Sequence, residues 1–160
     1  KISQSRMERI PVNLSGMARE VVLALQAAQP ERAADFVIER NLRAVGDPVL
    51  LRALLENLLG NAWKYSSRKE RARIEFGLQR FPEGGAAFFV RDNGDGFDMA
   101  EAGKLFAPFQ RLHAADEFAG TGVGLASVAR TVARHGGRVW AEAAKGEGAT
   151  FYFTLPHPGD

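Results

Sequence analysis

The chain contains no cysteine, which excludes disulfides and every thiolate-held metal centre and suits a reducing compartment. No apolar run approaches the roughly 18 residues of a membrane-crossing helix. The opening Lys1-Ile2-Ser3-Gln4-Ser5 lacks the apolar core of a signal peptide. Neither sign of charge is in excess: 21 Lys and Arg face 19 Asp and Glu, a net charge of +2. The basic footprint of a nucleic-acid-binding protein is therefore missing. One basic cluster, Arg68, Lys69, Arg71 and Arg73, has no aromatics interleaved and reads as a solvated loop. The histidines, His113, His135 and His157, do not have zinc-site spacing. No Gly-x-Ser-x-Gly elbow is present. The chain begins without Met and in mid-pattern, as expected of a fragment.

What is present suits one soluble domain with a sizeable core, since 160 residues are 46% hydrophobic and 25% charged. Residues 1–9 read as the frayed end of a helix that Pro11 stops. Met17, Val21, Val22 and Leu25 keep a helical period over Leu14–Ala28, and Gln29-Pro30 ends it. Asp35–Glu39 reads as a strand. Asp47-Pro48 combines a capping side chain with proline at the first helical position, and Val49, Leu50, Leu54, Leu58 and Ala62 give an apolar stripe to about Tyr65. Arg73–Arg80 and Ala86–Asp92 are predicted strands joined by the hairpin loop Pro82-Glu83-Gly84-Gly85. Residues 98–121 have weak periodicity and read as a short helix and a mobile lid. A helix over Gly122–His135 is closed by Gly136-Gly137. Two further strands, Arg138–Ala143 and Ala149–Leu155, flank the turn Lys145–Gly148. Short links between neighbouring strands predict antiparallel hairpins in one sheet, with helices on one face: a two-layer α+β sandwich.

Three stretches carry chemistry. Asn57, Asn61 and Lys64 share a helix face opposite the leucines. Asparagine is a mediocre helix former, so the pair suggests a use, although a solvated polar face would look the same. An amide oxygen is a hard ligand suited to Mg²⁺, and Lys64 can meet a phosphate. Asp92 ends a strand and is followed by Gly94 and Gly96. A carboxylate on a pocket floor accepts a hydrogen bond from the exocyclic amine of adenine and repels the guanine carbonyl, while glycines let a ring approach. A plain Asp-Asn-Gly turn is the alternative. Gly120-Thr121-Gly122-Val123-Gly124-Leu125 opens a helix, where free N–H groups hold anions, but it has no P-loop ending and no preceding strand. Phe106 and Phe109 read as packing anchors for the lid. Arg111 reads as a candidate for a terminal phosphate or as a solvent-exposed loop residue, His113 falls in the predicted lid, and His135, at a helix C-terminus where the dipole suits it, reads as structural. Together these parts read as a site for a nucleoside triphosphate.

In order, Asn57-Leu58-Leu59-Gly60-Asn61-Ala62-Trp63-Lys64-Tyr65, Asp92-Asn93-Gly94-Asp95-Gly96-Phe97, Phe106-Ala107-Pro108-Phe109, Gly120-Thr121-Gly122-Val123-Gly124-Leu125-Ala126 and Gly146-Glu147-Gly148-Ala149-Thr150-Phe151 resemble the catalytic and ATP-binding domain of bacterial sensor histidine kinases. The resemblance runs from about Val12 to Pro156. Phe109-Gln110-Arg111-Leu112-His113 and Glu117-Phe118 are similar to the phytochrome- and PAS-linked subgroup. The resemblance implies the ATP-binding α/β sandwich of the gyrase, Hsp90, histidine kinase and MutL superfamily, with a mixed, mostly antiparallel sheet. It implies Mg²⁺ on Asn61, with Asn57 lining the metal and phosphate site, and phosphates facing Lys64 and Arg111. Tyr65 would pack near the nucleotide, Asp92 would read adenine, and Thr150 would help hold the base through water. Gly94, Gly96, Phe97 and the run from Gly120 through Leu125 would complete the ATP site.

The implied reaction moves the γ-phosphoryl of ATP to a histidine on a separate dimerisation hairpin, then to a response-regulator aspartate. No acceptor histidine in a His-Glu or His-Asp context exists here. The expected organisation is a remnant of the second hairpin helix at residues 1–10, an ATP-binding domain at 11–156 and a tail at 157–160. Such a module is expected to be a cytoplasmic monomer cut from a homodimeric parent, touching neither membrane nor nucleic acid. A hydrolytic ATPase, or a nucleotide-gated binding module, would share the fold.

Overall fold

A computed structural model describes residues 6–100, 105–106 and 123–157 of the chain, with the side chain of Val123 left out. Its elements run β1 (Ile10–Asn13), α1 (Leu14–Ala28), β2 (Ala34–Ile38), β3 (Arg43–Gly46), α2 (Pro48–Tyr65), β4 (Ala72–Arg80), β5 (Ala86–Asp92), α3 (Val123–Arg134), β6 (Val139–Ala143) and β7 (Ala149–Phe153).

Side-chain capping fixes the helix starts. Asn13 Oδ1 accepts the Gly16 N–H at 3.0 Å and starts α1. Asp47 Oδ1 accepts from Val49 and Leu50 at 2.9 and 3.1 Å and starts α2, with Pro48 at its first position. Along α2, Leu51, Leu54, Leu55, Leu58, Leu59 and Ala62 are buried; of the expected stripe, Leu54, Leu58 and Ala62 face the core, whereas Val49 is 76% exposed. Gly60 lies inside this helix, and a Cβ there would meet nothing within 4 Å. Gly60→Ala is therefore expected to stabilise the chain by roughly 0.5–1 kcal/mol, because glycine loses more backbone freedom in a helix. A lower thermal midpoint for the variant would contradict this.

The main sheet has the order β2-β4-β5-β7-β6. β4–β5, β5–β7 and β7–β6 are antiparallel, but β2 lies parallel to β4. These two strands are not joined by a hairpin. α2 crosses between them, which is how parallel neighbours are connected. The mixed, mostly antiparallel sheet that the resemblance implies is thus present, and the hairpins expected from short links are found at β4–β5 and β6–β7. One sheet is expected from the sequence, but there is a second, two-stranded sheet, in which β1 pairs antiparallel with β3 from Ile10↔Gly46 to Asn13↔Arg43. Arg6–Arg9 are not helical, and Pro11, expected to stop a helix, lies inside β1. The expected short helix and lid over 98–121 fall largely outside the described residues, as do Phe109 and His113.

The helices cover one face of the main sheet. Phe76, Phe88, Phe151 and Phe153 point into that layer and meet the α2 leucines together with Leu125, Val128 and Val132 of α3. Each such side chain contributes about 1.5–3 kcal/mol of burial. Trp63 stacks on Phe36 at 5.5 Å and gives its indole N–H to Gln29 at 2.6 Å. The opposite face carries a smaller cluster of Ala87, Phe89 and Tyr152, flanked by Phe81 and Trp140.

Candidate functional site

β5 ends on Asp92, and the pleat turns that carboxylate toward the helical layer, on the side of Phe88 and Val90. Asp92 is only 5% exposed. Its Oδ1 accepts the Gly94 N–H at 2.8 Å, and the Ala149 N–H also bonds to it. Burial nevertheless pushes the Asp92 carboxyl up to about 6, against those two hydrogen bonds, and Asp95 nearby adds to the rise. A carboxylate of this kind has lost water and retains acceptor capacity for a further donor.

The loop after Asp92 is folded onto two neighbours. The Asp95 N–H reaches the Tyr65 carbonyl at 3.1 Å, and the Gly146 N–H reaches the Asp95 carbonyl at 2.6 Å. A Cβ on Gly94 would collide with the Tyr65 carbonyl, so only glycine allows this approach of the loop to the end of α2. Gly96, at φ +66°, would drive a Cβ into the carbonyls of Ala144 and Gly148. Arg68 pairs with Asp95 at 3.4 Å on the rim. The Tyr65 phenol pKa is raised first by burial and then by the charge of Asp92.

Asn57, Asn61 and Tyr65 follow at intervals of four along α2 and so form one stripe. The asparagines are half-buried, and Lys64 is exposed. At the N-terminal end of this stripe α3 begins. A Cβ on Gly124 would stand 3.1 Å from Asn57 Oδ1, so glycine permits the close approach of α3's first turn to Asn57. The first turn of any helix presents N–H groups without an intrahelical partner, at the positive end of the dipole. The structure thus brings Tyr65, Asp92, Gly94 and Gly96 together at one end of α2's half-buried stripe. Asn57 and Gly124 meet at the other, and Asn61 lies between.

The remaining predicted residues are placed differently. Phe97 and Leu125 are buried core residues, and Phe97 packs on Phe151 at 6.2 Å. Phe106 meets Phe151 edge-on at 6.3 Å, a packing contact of the kind expected. Thr150 is not brought to Asp92. It pairs with Arg91 across β5–β7 on the opposite face of the sheet, and its hydroxyl accepts from Arg91 Nε at 3.3 Å. The residue facing the helical layer beside Asp92 is Ala149. Val123 opens α3; Arg111, Gly120, Thr121 and Gly122 lie outside the described residues. His135 is structural, as expected: it is buried just past the end of α3, and its Nε2 accepts the Asp47 N–H at 3.1 Å.

Sequence reasoning gave no role to Asp95 or Ala149. Asp95 carried a readable signal, an acid between two glycines. Ala149 carried none beyond its register with Asp92. Among the described residues no three His, Asp or Glu side chains gather as a metal cluster, and no helix is long and apolar enough to cross a membrane.

A profile of the family described as "Histidine kinase-, DNA gyrase B-, and HSP90-like ATPase" matches residues 46–159. Cyanobacterial phytochrome A of Nostoc sp. is 47% identical over 109 residues, covering 68% of this chain and 14% of that protein. The adaptive-response sensory kinase SasA of Synechococcus sp. is 32% identical over 158 residues, covering 96% of this chain and 41% of that protein. The chain therefore spans less than half the length of either relative. Among solved structures, the mycobacterial sensor histidine kinase MprB superposes with a TM-score of 0.76 at 25% identity, covering 92% of this chain and 99% of that one. Full-length ShkA in complex with AMPPNP superposes at 0.73 and 26% identity, over 95% of this chain and 32% of that one.

Proposed function

We propose, from the premise that the chain belongs to the histidine kinase-, DNA gyrase B- and HSP90-like ATPase family, that residues 11–156 are the catalytic domain of a two-component sensor histidine kinase. In this reading the domain binds Mg-ATP and donates the γ-phosphoryl to a histidine on a dimerisation hairpin, for relay to a response-regulator aspartate. The observation that carries it is the stripe on α2, with a buried, underused carboxylate at the Tyr65 end and a helix N-terminus against Asn57 at the other. Asp92 takes the adenine amine, and Tyr65 lies beside the base. The first turn of α3 receives the polyphosphate, with Lys64 and Arg111 as its cationic partners. The proposed metal donors are amide oxygens, which suit an ion that keeps waters and takes phosphate oxygens. Asn61 would hold that Mg²⁺ and Asn57 would line its site; the ion supplies charge neutralisation on the phosphates.

The transfer is in-line: an imidazole nitrogen bonds to the γ-phosphorus, the bond to the bridging oxygen breaks, and ADP leaves with that electron pair. The chain contributes positioning and charge, and no general base is needed from it. That point separates the proposal from a hydrolytic ATPase, which needs a group to activate water. Asn57 is a poor base. Its neighbour Glu56 is turned to Arg52, at 3.5 Å, which in turn bonds Glu20 of α1 at 2.6 Å. The names of the relatives, sensory kinases and phytochromes, favour the same branch. The parent would be a homodimer with this domain on the cytoplasmic side.

The test is to mix the chain with a candidate dimerisation hairpin and γ-labelled ATP. Acid-labile phosphate is expected on the hairpin and none on the chain alone. Steady release of inorganic phosphate without transfer, or no ATP binding by calorimetry, would defeat the proposal.

A further inference from the structure

The ends of α2 and α3 farthest from the candidate site are joined by one side chain. His135 is 2% exposed. Its Nδ1 lies 2.7 Å from the Thr131 carbonyl, one turn back, and its Nε2 accepts the Asp47 N–H at 3.1 Å. With Nε2 accepting, the ring carries its proton on Nδ1 and donates it to Thr131. Asp47 caps α2 through Oδ1 and holds the Glu8 N–H at 2.9 Å through Oδ2. The ring is closely boxed: a Cβ on Gly46 would stand 2.6 Å from both Cδ2 and Nε2. The phosphoryl-transfer proposal uses none of these groups.

We infer that His135 is a positioning residue for phosphoryl donation. By fastening the C-terminal end of α3 to the cap of α2, it sets the tilt between the helices and so holds α3's first turn, with Gly124, against Asn57. This rests on the reading of that turn as the polyphosphate end of the nucleotide site. Elsewhere α3 meets the core through Leu125, Val128 and Val132, with one long, exposed bond from the Arg9 guanidinium to the Arg134 carbonyl at 3.4 Å. Such apolar contact is non-directional and leaves tilt loosely specified, whereas a bond with one donor and one acceptor specifies it. α3 has 12 residues and is about 18 Å long, so a tilt of roughly 3° at one end moves the other by about 1 Å. A misplacement of about 1 Å is enough to matter on the order of 100-fold in position-dependent chemistry.

The test titrates AMPPNP with Mg²⁺, and separately adenosine, into the native chain, His135→Ala, His135→Gln and Gly46→Ala, well below their melting temperatures. In His135→Ala, AMPPNP affinity is expected to fall about tenfold or more while adenosine, read beside Asp92 and away from α3, stays within about twofold. Gly46→Ala crowds the ring without removing it and gives the same split. His135→Gln offers a carbonyl oxygen near the Nε2 position and returns AMPPNP affinity to within about threefold of native. Equal losses for both ligands, or no loss in a folded variant, overturn the inference. Should the variants not fold, amide exchange of the native chain decides. AMPPNP is expected to slow exchange at the Asp47 N–H, since coupling between sites is reciprocal, and an unchanged rate overturns the inference. A native chain that binds neither ligand defeats the ATP-site reading itself, and this inference falls with it.

Discussion

Asp92→Asn is expected to weaken ATP and adenosine alike, by roughly 10- to 150-fold, the loss of a charge-assisted hydrogen bond of about 1.5–3 kcal/mol. The geometry explains why so small a change is not conservative. The Asp92 carboxylate already accepts the Gly94 N–H at 2.8 Å and the Ala149 N–H. An asparagine has one acceptor oxygen to offer where aspartate has two. If that oxygen stays with the backbone donors, the amide NH₂ faces the adenine amine, donor against donor. If it turns to the base, a buried N–H is left without a partner. Guanosine gains from neither arrangement by more than a single neutral hydrogen bond. Titration calorimetry with adenosine and ATP measures the effect, and unchanged affinities would remove Asp92 from base recognition.

The same residue predicts two pH dependences. Its folded pKa is raised from the usual 3.8 to about 6, chiefly by burial. The folded chain therefore binds this proton more tightly than the unfolded chain does. The associated stability is fully present below pH 3.8 and is lost as pH rises through about 6. The difference is on the order of 3 kcal/mol at one unit per 1.36 kcal/mol. Thermal midpoints of the native chain, compared with those of Asp92→Asn, are expected to fall relative to the variant between pH 4 and about 6.5 and to run parallel above. Nucleotide affinity runs the opposite way. The adenine amine prefers the ionised carboxylate, so affinity rises with pH through about 6 and binding there releases a proton. Calorimetry near that pH in two buffers of different ionisation enthalpy detects the release. Identical heats would show that Asp92 does not change charge on binding.

Local signals in the sequence carried much of this fold. α2 was legible because a capping Asp-Pro and a leucine stripe are short-range features, and β4 and β5 because a Pro-Glu-Gly-Gly loop separates two apolar runs. β1 and β3 were not legible. Each has four residues, too few for alternation to show, and Pro11 reads as a helix stop although an edge strand tolerates it. The parallel pairing of β2 with β4 is set by the helix crossing between them, which no strand's own residues encode. The same distinction holds in the site. Asn57, Asn61, Tyr65 and Asp92 sit within their own elements at positions a period can find. Thr150 needed the register between β5 and β7: since Asp92 pairs with Ala149, alternation sends the next side chain to the far face. His135 needed a partner 88 residues away, and the raised proton affinity of Asp92 needed the burial of its surroundings.

Asn61→Ala is expected to separate the two ends of the site. Asn61 lies on the α2 stripe between Tyr65 and Asn57, half-buried, and alanine is the better helix former, so the fold keeps its stability. What is lost is a neutral oxygen donor at the place assigned to the ion. Mg²⁺ keeps several waters and is held by one or two protein oxygens plus phosphates, so one missing ligand is a large fraction of the protein's grip. Phosphoryl transfer to a hairpin domain is expected to fall by about 100-fold or more, because charge neutralisation and in-line positioning are nearly all that catalyses this reaction. Mg²⁺-dependent ATP affinity is expected to fall with it, while adenosine, which meets neither ion nor phosphate, binds as before. The contrast with Asp92→Asn is the discriminating result: one variant loses both ligands, the other only the ligand that carries phosphates. Equal ATP titrations of Asn61→Ala and the native chain, with and without Mg²⁺, would place the ion elsewhere. An adenosine loss matching the ATP loss would mean that α2 itself had shifted, taking Tyr65 and the neighbouring Asp92 loop with it.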